Sequence, residues 1–308
     1  MVFDFSKIAE KNLSNPFNSG LIFWTGGLLA WLWYTELSSF FIWFSKLRPI
    51  EISLYAFIVL LTMRLSTILV QRLTLTVLHF LEGYFFPQWF YSFLLKKLEY
   101  NIKKKKKRFN ELYGKKFEFG EKITQREAEL FATLEFELSQ IPDKNFRMPT
   151  QLGNILRFAE NRPKEKYGLD SFICLPRIWL LLPSDVKEEI SKARKNLDET
   201  VHIWTWSILF LVWTYFSIWT IPIAFFFAWL SYRWMLDAAT IYSQLIESIF
   251  DVHRKLLYEA LRWPLPLNPA DEREQGKKLS VYLWQGSDDV QPKFLNNKII
   301  EINWKKLG

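Results

Sequence analysis

Residues 52–81 read ISLYAFIVLLTMRLSTILVQRLTLTVLHFL, and the only charged side chains in this run are Arg64 and Arg72. About 20 apolar residues in a helix cross the ~30 Å hydrocarbon core of a bilayer. Residues 21–44 form another apolar run of sufficient length, with Glu36 as its one charge. A short polar turn that contains Pro49 separates the two runs. We therefore predict a transmembrane helical hairpin over residues 21–81, preceded by a segment of residues 1–20.

A further apolar block covers residues 203–236 and contains one charge, Arg233. The block is too long for one ordinary span, and Pro222 near its middle is a favourable first residue for a new helix. We predict a second hairpin over residues 202–237, with spans at about 203–219 and 222–236. The alternative is one kinked span, which would place the C-terminus on the other side of the membrane.

The distribution of basic residues predicts the orientation. Lysines and arginines cluster after the first hairpin, before the second and again after it, whereas only Lys46 and Arg48 lie in the turn of the first hairpin. Basic residues near span ends favour the cytoplasmic side. We therefore place both termini, residues 82–201 and residues 238–308 in the cytoplasm. The first apolar block is also too long for a signal peptide, and no small-residue cleavage site follows it.

A polybasic segment at residues 96–108 follows the first hairpin. Its core is the run Lys103, Lys104, Lys105, Lys106, Lys107 and Arg108. Such a segment gains about 1 kcal/mol per basic residue from anionic lipids, so we predict that it binds the anionic headgroups of the bilayer. The alternative is a solvated helix face that only sets the topology. Nucleic-acid binding is a weaker third option, because no recognised nucleic-acid-binding fold accompanies the charge.

The cytoplasmic parts have helical patterns. Thr124 and Glu127 have the spacing of a capping box, followed by Leu130, Leu134 and Leu138 on one face, and Thr150 is a candidate cap for a short helix. No Gly or Pro interrupts residues 184–221 or 223–263, so we predict helices of roughly 50 and 60 Å that extend past the bilayer. Residues 280–284 and 298–304 resemble two short β-strands.

Three motifs carry a resemblance to a known family. They are PTxLGNxLR at residues 149–157, YGxD at 167–170 and PRxWxLLP at 176–183. In this order they resemble a family of bacterial integral membrane proteins of unknown function. The resemblance implies a multi-pass protein of the plasma membrane or another inner membrane of a bacterium. Within the motifs we predict a cytoplasmic gate or partner surface at Asn154, Arg157, Asp170 and Arg177.

No catalytic or cofactor motif is present. The sequence lacks the motifs of phosphate-binding loops, nucleophile elbows and zinc proteases. Its one cysteine, Cys174, excludes an internal disulfide and lies in an apolar run that favours inert packing. The three histidines are not spaced as a metal site. We therefore predict neither a cofactor nor a metal, and the sequence nominates no catalytic residue for an enzyme.

The charged side chains inside the predicted spans are the best candidates for a site. A charged side chain within a bilayer generally has a functional role or pairs with another polar group. Arg64 lies near the middle of the second span, and Glu36 is the one acid in the hairpin that could meet it. The pair could line a water-filled path in which Arg64 attracts anions. The alternatives are a structural salt bridge, or an Arg64 side chain that reaches the inner surface.

The predicted fold class is an all-α polytopic membrane protein, with two transmembrane hairpins around a cytoplasmic helical domain and with long helical stalks. The stalks carry apolar faces beyond the bilayer, which favours a homo-oligomer. The leading functional hypothesis is an ion-conducting or gated pore that the cytoplasmic domain controls. The alternatives are a non-conducting scaffold that recruits a cytoplasmic protein partner, and a membrane enzyme or lipid-handling protein.

Overall fold

The computed structural model describes residues 16–35, 42, 44–118, 124–139, 141–286, 293 and 294. Within these residues all regular secondary structure is helical, so the all-α prediction is confirmed. The α-helices are α1 (Pro16–Thr35), α2 (Pro49–Glu82), α3 (Gln88–Tyr113), α4 (Gln125–Ser139), α5 (Gln151–Tyr167), α6 (Ser171–Leu181), α7 (Ser184–Leu209), α8 (Thr220–Ala260) and α9 (Pro269–Gln285). A π-helical turn follows α3 at Gly114–Glu118, and 3₁₀ turns lie at Lys144–Phe146 and Phe210–Tyr215.

The chain divides into two compact units. The first unit comprises Met1–Phe86 and Lys192–Ala239, and the second comprises Pro87–Ser191 and Thr240–Gly308. One boundary lies between Phe86 and Pro87, before α3. The other two fall within α7 and α8, so both of these helices contribute residues to each unit.

In the first unit, α1 lies very close to its neighbours because it presents glycines to them. A Cβ atom on Gly20 would be 2.7 Å from Thr67 Oγ1 of α2, and one on Gly27 would be 2.1 Å from the ring of Trp213. These distances leave no room for a side chain. Aromatic rings fill the space around the glycines, with centroids 4.8 to 6.3 Å apart: Phe23, Trp24, Trp206, Phe210 and Trp213.

The helix α2 begins and ends on local signals. Pro49 occupies its first position, where a missing N–H costs nothing, and the backbone N–H of Arg48 donates a hydrogen bond to Glu51 Oε2 at 2.8 Å. Gly83 ends the helix with a φ of 104°, in the left-handed region of backbone conformation. Residues other than glycine rarely adopt this conformation. The 34 residues give a helix about 51 Å long.

The apolar surface of α2 is uncovered. Only 6% of its most apolar 18-residue window is buried, and the side chains that α2 does bury are Thr67, Val70, Leu78, Leu81 and Glu82. Among the described residues, α2 is the one helix whose length and composition would allow it to cross a membrane. All four predicted spans stay predictions, and of the helices that the structure describes α2 is the one that has the length and composition to cross a membrane.

The second apolar block departs from the predicted continuous helix over residues 184–221. The helix α7 ends at Leu209, the 3₁₀ turn follows, and α8 begins at Thr220, so that prediction is wrong. No Gly or Pro causes the break. The aromatic and β-branched residues of the 3₁₀ segment have modest helix propensity, and the rings of Phe210 and Trp213 lie against Gly26 and Gly27 of α1. Tertiary packing thus overrides the local pattern, whereas α8 is uninterrupted over 41 residues, close to the predicted extent.

The second unit has its own apolar core, built from α5 to α9. Its most deeply buried members are Leu169, Cys174, Ile178, Phe250, Leu257, Tyr258 and Leu279. The helix α9 approaches the α5–α6 turn closely, because a Cβ on Gly276 would be 2.0 Å from the Tyr167 carbonyl oxygen. Gly168 has a φ of 72°, which also favours glycine.

Residues 280–284 lie in helix α9, so the prediction of a β-strand there is wrong. Asn268 caps α9 by accepting hydrogen bonds from the N–H groups of Ala270 and Asp271, and Pro269 follows as its first residue. Acidic side chains in the first turn also favour this helix. These local signals outweigh the β-branched and aromatic content of residues 280–284. The second predicted strand, at residues 298–304, lies outside the described residues.

A smaller cluster of side chains joins α3 and α4. Leu112, Phe131 and Leu134 are buried there, and the ring of Phe109 stacks on that of Phe131 at 4.9 Å. The predicted capping box is confirmed, because Glu127 N–H donates to Thr124 Oγ1 while Thr124 N–H donates to Glu127 Oε2. The predicted leucine face is only partly buried, since Leu130 is 38% exposed.

Candidate functional site

A hydrogen bond joins α2 to α7 within the first unit. Thr74 Oγ1 lies 2.6 Å from His202 Nε2. The Thr74 hydroxyl lies 2.8 Å from the Gln71 carbonyl oxygen. We assign its one hydrogen to that carbonyl, and in this assignment the hydroxyl oxygen accepts from the His202 Nε2–H. This arrangement leaves His202 Nδ1 as a hydrogen-bond acceptor. Nδ1 is buried and has no hydrogen-bond partner within the described part of the chain.

A cavity of about 290 Å³ lies beside this hydrogen bond. Such a volume is at the lower end of the range for small-molecule sites, roughly 300–1,000 Å³. Two helices supply its polar side chains. They are Gln71 and Thr74 of α2 and Lys195, Asp198, Glu199 and His202 of α7.

The carboxylate of Glu199 is the second unsatisfied group of the cavity. Its Oε1 is buried and accepts no hydrogen bond from any described residue, and the ammonium nitrogen of Lys195 is 3.8 Å away. Burial raises the pKa of Glu199 above its usual value, the Lys195 charge lowers it, and the Asp198 charge raises it. Asp198 itself accepts from Arg194 Nε at 3.1 Å. The cavity therefore holds two buried acceptors that the described residues leave without donors.

The sequence contains a signal for this cavity that our sequence analysis did not use. Lys195, Asp198, Glu199 and His202 are spaced i, i+3, i+4 and i+7, which puts all four on one face of a helix. The contribution of α2 has no such signal, because Gln71 and Thr74 are 128 or more positions away from His202.

Of the predicted pair of Arg64 and Glu36, the structure describes only Arg64. Arg64 is the 16th of the 34 residues of α2, and its side chain is exposed. It makes no ion pair with any residue that the structure describes. Glu36 lies outside the described residues, so the predicted pairing stays a prediction.

The polybasic run lies on α3. Lys105 pairs with Glu137 of α4 at 2.8 Å, and Arg108 pairs with Glu111 at 3.0 Å. The side chains of Lys103, Lys104, Lys106 and Lys107 are exposed. The run is thus partly a helix–helix contact and partly an exposed cationic face. This arrangement is compatible with binding to anionic lipids and also with a solvated helix face.

The predicted gate or partner residues belong to the second unit and have mixed roles. The amide of Asn154 is buried, donates to the carbonyl oxygens of Met148 and Thr150, and accepts from Met148 N–H. Asn154 therefore holds the turn before α5 together and does not form part of an exposed surface. Thr150 caps α5 by accepting from Gly153 N–H, as predicted.

The other three predicted residues lie nearer the surface. Asp170 caps α6 by accepting from Phe172 N–H, and it pairs with Lys164 at 3.3 Å. Arg157 pairs with Glu160 at 3.0 Å. Arg177 is exposed and donates to the carbonyl oxygens of Ile173 and Leu283. Of the four, Arg177 is exposed, whereas Arg157 and Asp170 are partly exposed and Asn154 is buried.

A polar network near α5 was not anticipated. Tyr167 donates a hydrogen bond to Asp251 at 2.5 Å, the Arg254 guanidinium lies 4.1 Å from the Tyr167 ring centroid, and Arg254 pairs with Glu272 at 2.6 Å. Burial and the hydrogen bond to Asp251 raise the pKa of Tyr167 to about 12. Since each of these charges has an opposite neighbour, the network holds α5, α8 and α9 together.

Comparisons with protein-family models, with curated proteins and with solved structures found no match to this chain. The resemblance to a family of bacterial membrane proteins therefore stays a prediction. Among the described residues there is also no group of three or more His, Cys, Asp or Glu side chains that could hold a metal ion.

Proposed function

We propose that this chain is a multi-pass protein of a bacterial inner membrane that assembles as a homo-oligomer and forms an ion-conducting or gated pore. In this proposal both termini and the middle of the chain are cytoplasmic, and the cytoplasmic domain controls the pore. One observation carries the proposal. A 34-residue apolar helix leaves its apolar surface uncovered and has an arginine near its middle.

The exposure of α2 supports a lipid environment. A long apolar helix in the core of a water-soluble protein would be mostly buried, but α2 is not. Leaving apolar surface in water costs roughly 25 cal/mol per Å², so a surface of this kind requires lipid or protein to cover it. A helix that begins at Pro49 is also far from the position of a signal sequence.

The position of Arg64 supports an oligomer with a polar path. A charged side chain at the centre of a lipid-facing helix costs about 2.5–3.5 kcal/mol on insertion scales. A charged side chain on an otherwise apolar helix is less costly when it faces other subunits or water than when it faces lipid. Arg64 would then favour the passage of anions.

The proposal is tested by recording currents from the purified full-length protein in planar bilayers. We expect discrete openings, and we expect Arg64→Gln to lower the conductance or the preference for anions. Arg72→Gln is the matched control, because it makes the same chemical change on the same helix nearer the predicted membrane boundary. The proposal is wrong if wild-type protein of verified oligomeric state stays silent under all ionic and voltage conditions.

A second candidate function is a membrane scaffold that recruits a partner. The observation in its favour is that the second unit exposes large apolar side chains, with Phe172 83%, Leu180 77% and Leu267 93% exposed. If the scaffold function is correct, Arg64→Leu has no functional effect, whereas Phe172→Ser abolishes recruitment. Measuring both variants in the same cells distinguishes the two functions.

A further inference from the structure

The cavity between α2 and α7 requires a particular kind of ligand chemistry. Its two unsatisfied groups, Glu199 Oε1 and His202 Nδ1, are both hydrogen-bond acceptors. They lie three residues apart on one face of α7, which places their side chains within about 5–6 Å at the Cβ atoms. A single group that carries two or more N–H donors could satisfy both.

The charges around the cavity favour a cationic donor. Asp198 already pairs with Arg194, so its charge is balanced. Lys195 is the nearest cation to Glu199, but its ammonium nitrogen is 3.8 Å from Oε1, beyond hydrogen-bond distance, and its side chain is 65% exposed. The Glu199 side chain is 18% exposed and its ion pair with Lys195 is long, so the buried Oε1 has no hydrogen-bonded cation among the described residues. An incoming ammonium group would supply one. Burial also raises the pKa of Glu199, as expected for a carboxylate without such a partner.

We propose that this cavity binds a primary ammonium group, which donates hydrogen bonds to Glu199 Oε1 and His202 Nδ1. Two sources supply such a group, the ethanolamine headgroup of a phospholipid and a free small amine. Lys195 favours the headgroup, because its exposed ammonium can pair with the adjoining phosphate. The proposal goes beyond pore function and does not depend on conduction.

The test is a titration of the full-length protein in detergent, followed by native mass spectrometry. The probes are short-chain phosphatidylethanolamine, its N-methylated derivatives and phosphatidylcholine, whose quaternary ammonium has no N–H donor. We expect the affinity to fall with each added methyl group. Phosphatidylcholine should bind at least about tenfold more weakly than phosphatidylethanolamine, and a tenfold difference corresponds to about 1.4 kcal/mol. Free ethanolamine is titrated in parallel to distinguish the two sources.

The variants assign the binding to the cavity. Glu199→Gln keeps the shape of the side chain and removes its charge, so we expect it to weaken phosphatidylethanolamine binding about tenfold. The matched control is Glu189→Gln, which makes the same change at an exposed position of α7 and should have no effect. If Glu199→Gln does not fold, His202→Phe removes the second acceptor and should likewise reduce the preference.

Each outcome has a definite meaning. Tight binding of ethanolamine, abolished by Glu199→Gln and without any preference for the lipid, supports an ammonium site and assigns it to a free amine. Equal affinity for phosphatidylethanolamine and phosphatidylcholine in the wild-type protein overturns the proposal, as does binding that neither cavity variant changes. Failure of the pore proposal would appear as electrical silence and would leave these affinities unaltered.

Discussion

At the residue scale, Gly276 shows how closely α9 approaches the α5–α6 turn. Its position opposite the Tyr167 carbonyl leaves no room for even a methyl group, since a Cβ would lie 2.0 Å from that oxygen. The obstacle is backbone, which cannot move aside as the end of a flexible side chain could. The same region contains Ser280, whose hydroxyl accepts from Asp170 N–H at 3.0 Å.

We therefore expect Gly276→Ala to destabilise the protein in spite of the better helix propensity of alanine. Overpacking costs typically about 1–3 kcal/mol, and the measurement is the denaturant midpoint of the purified protein. Lys278→Ala is the control, because it changes an exposed residue of α9 whose ion pair with Glu274 is worth little. Equal midpoints for the two variants would mean that α9 does not approach this turn as described.

Cys174 predicts a dependence of stability on pH. Its side chain is fully buried with Sγ 3.7 Å from Ser280 Oγ, and burial raises the pKa of the thiol to about 11 from a usual 9.0. The contribution of this group to stability is thus fully present below pH 9 and is lost as pH rises through 11. The total loss is on the order of 3 kcal/mol, since each of the roughly two pKa units corresponds to about 1.36 kcal/mol.

The measurement is the free energy of unfolding between pH 8 and pH 11.5 for the wild type and for Cys174→Ser. The serine variant does not titrate in this range, so its stability should fall less steeply with pH than that of the wild type. Lysines and tyrosines ionise in both proteins and cancel in the comparison. Parallel curves would show that the thiol is not buried in the folded protein.

At the scale of elements, α3 combines a helix–helix contact with an exposed cationic face. Lys105 and Phe109 belong to the contact with α4, while Lys103, Lys104, Lys106 and Lys107 are exposed. The exposed lysines can be changed without disturbing the packing. They therefore provide a direct test of the predicted interaction with anionic lipids.

We expect replacement of these four lysines by glutamine to reduce the anionic lipid that co-purifies with the protein. Each lysine near an anionic surface contributes about 1 kcal/mol, so the combined effect should exceed tenfold and should diminish in high salt. The measurement is the ratio of phosphatidylglycerol to phosphatidylethanolamine bound after purification. Four exposed lysines elsewhere serve as the control: Lys164, Lys255, Lys277 and Lys278. An equal loss in both variants would favour the solvated-face interpretation.

At the scale of the whole molecule, the prediction that matters most is the topology. The proposal places the turn between α1 and α2 outside the cell and residues 96–108 inside. Single cysteines introduced into a Cys174→Ser background can report both positions, with Ser45→Cys directly before the turn at Lys46 and Asn101→Cys in α3. Both original side chains are exposed, so the substitutions should be tolerated.

We expect a membrane-impermeant maleimide to label Ser45→Cys in intact cells and to label Asn101→Cys only after the cells are permeabilised. The physical reason is the positive-inside bias of the basic residues around the spans. Labelling yield by mass spectrometry is the measurement. Reaction of Asn101→Cys in intact cells would reverse the topology and remove the basis for a cytoplasmic gate.

Much of the fold could be predicted from the sequence wherever the cause is local. The all-α class, the extent of α8, the capping box of Thr124 and Glu127 and the cap at Thr150 all follow from patterns within a few helical turns. The capping signal at Asn268 and Pro269 was equally local, but the strand prediction at residues 280–284 did not take it into account. Helix signals of this kind act through backbone N–H groups of the same turn, so a short window of sequence contains them.

What only the tertiary structure decided concerns residues that are far apart in the chain. The end of α7 at Leu209 depends on glycines of α1, and the cavity depends on Thr74 meeting His202 across 128 positions. The sequence alone determined that α7 presents a polar face and that α2 is a long apolar helix. It did not determine that the two face each other, because the helical period specifies which side chains share a face but not which neighbour that face contacts.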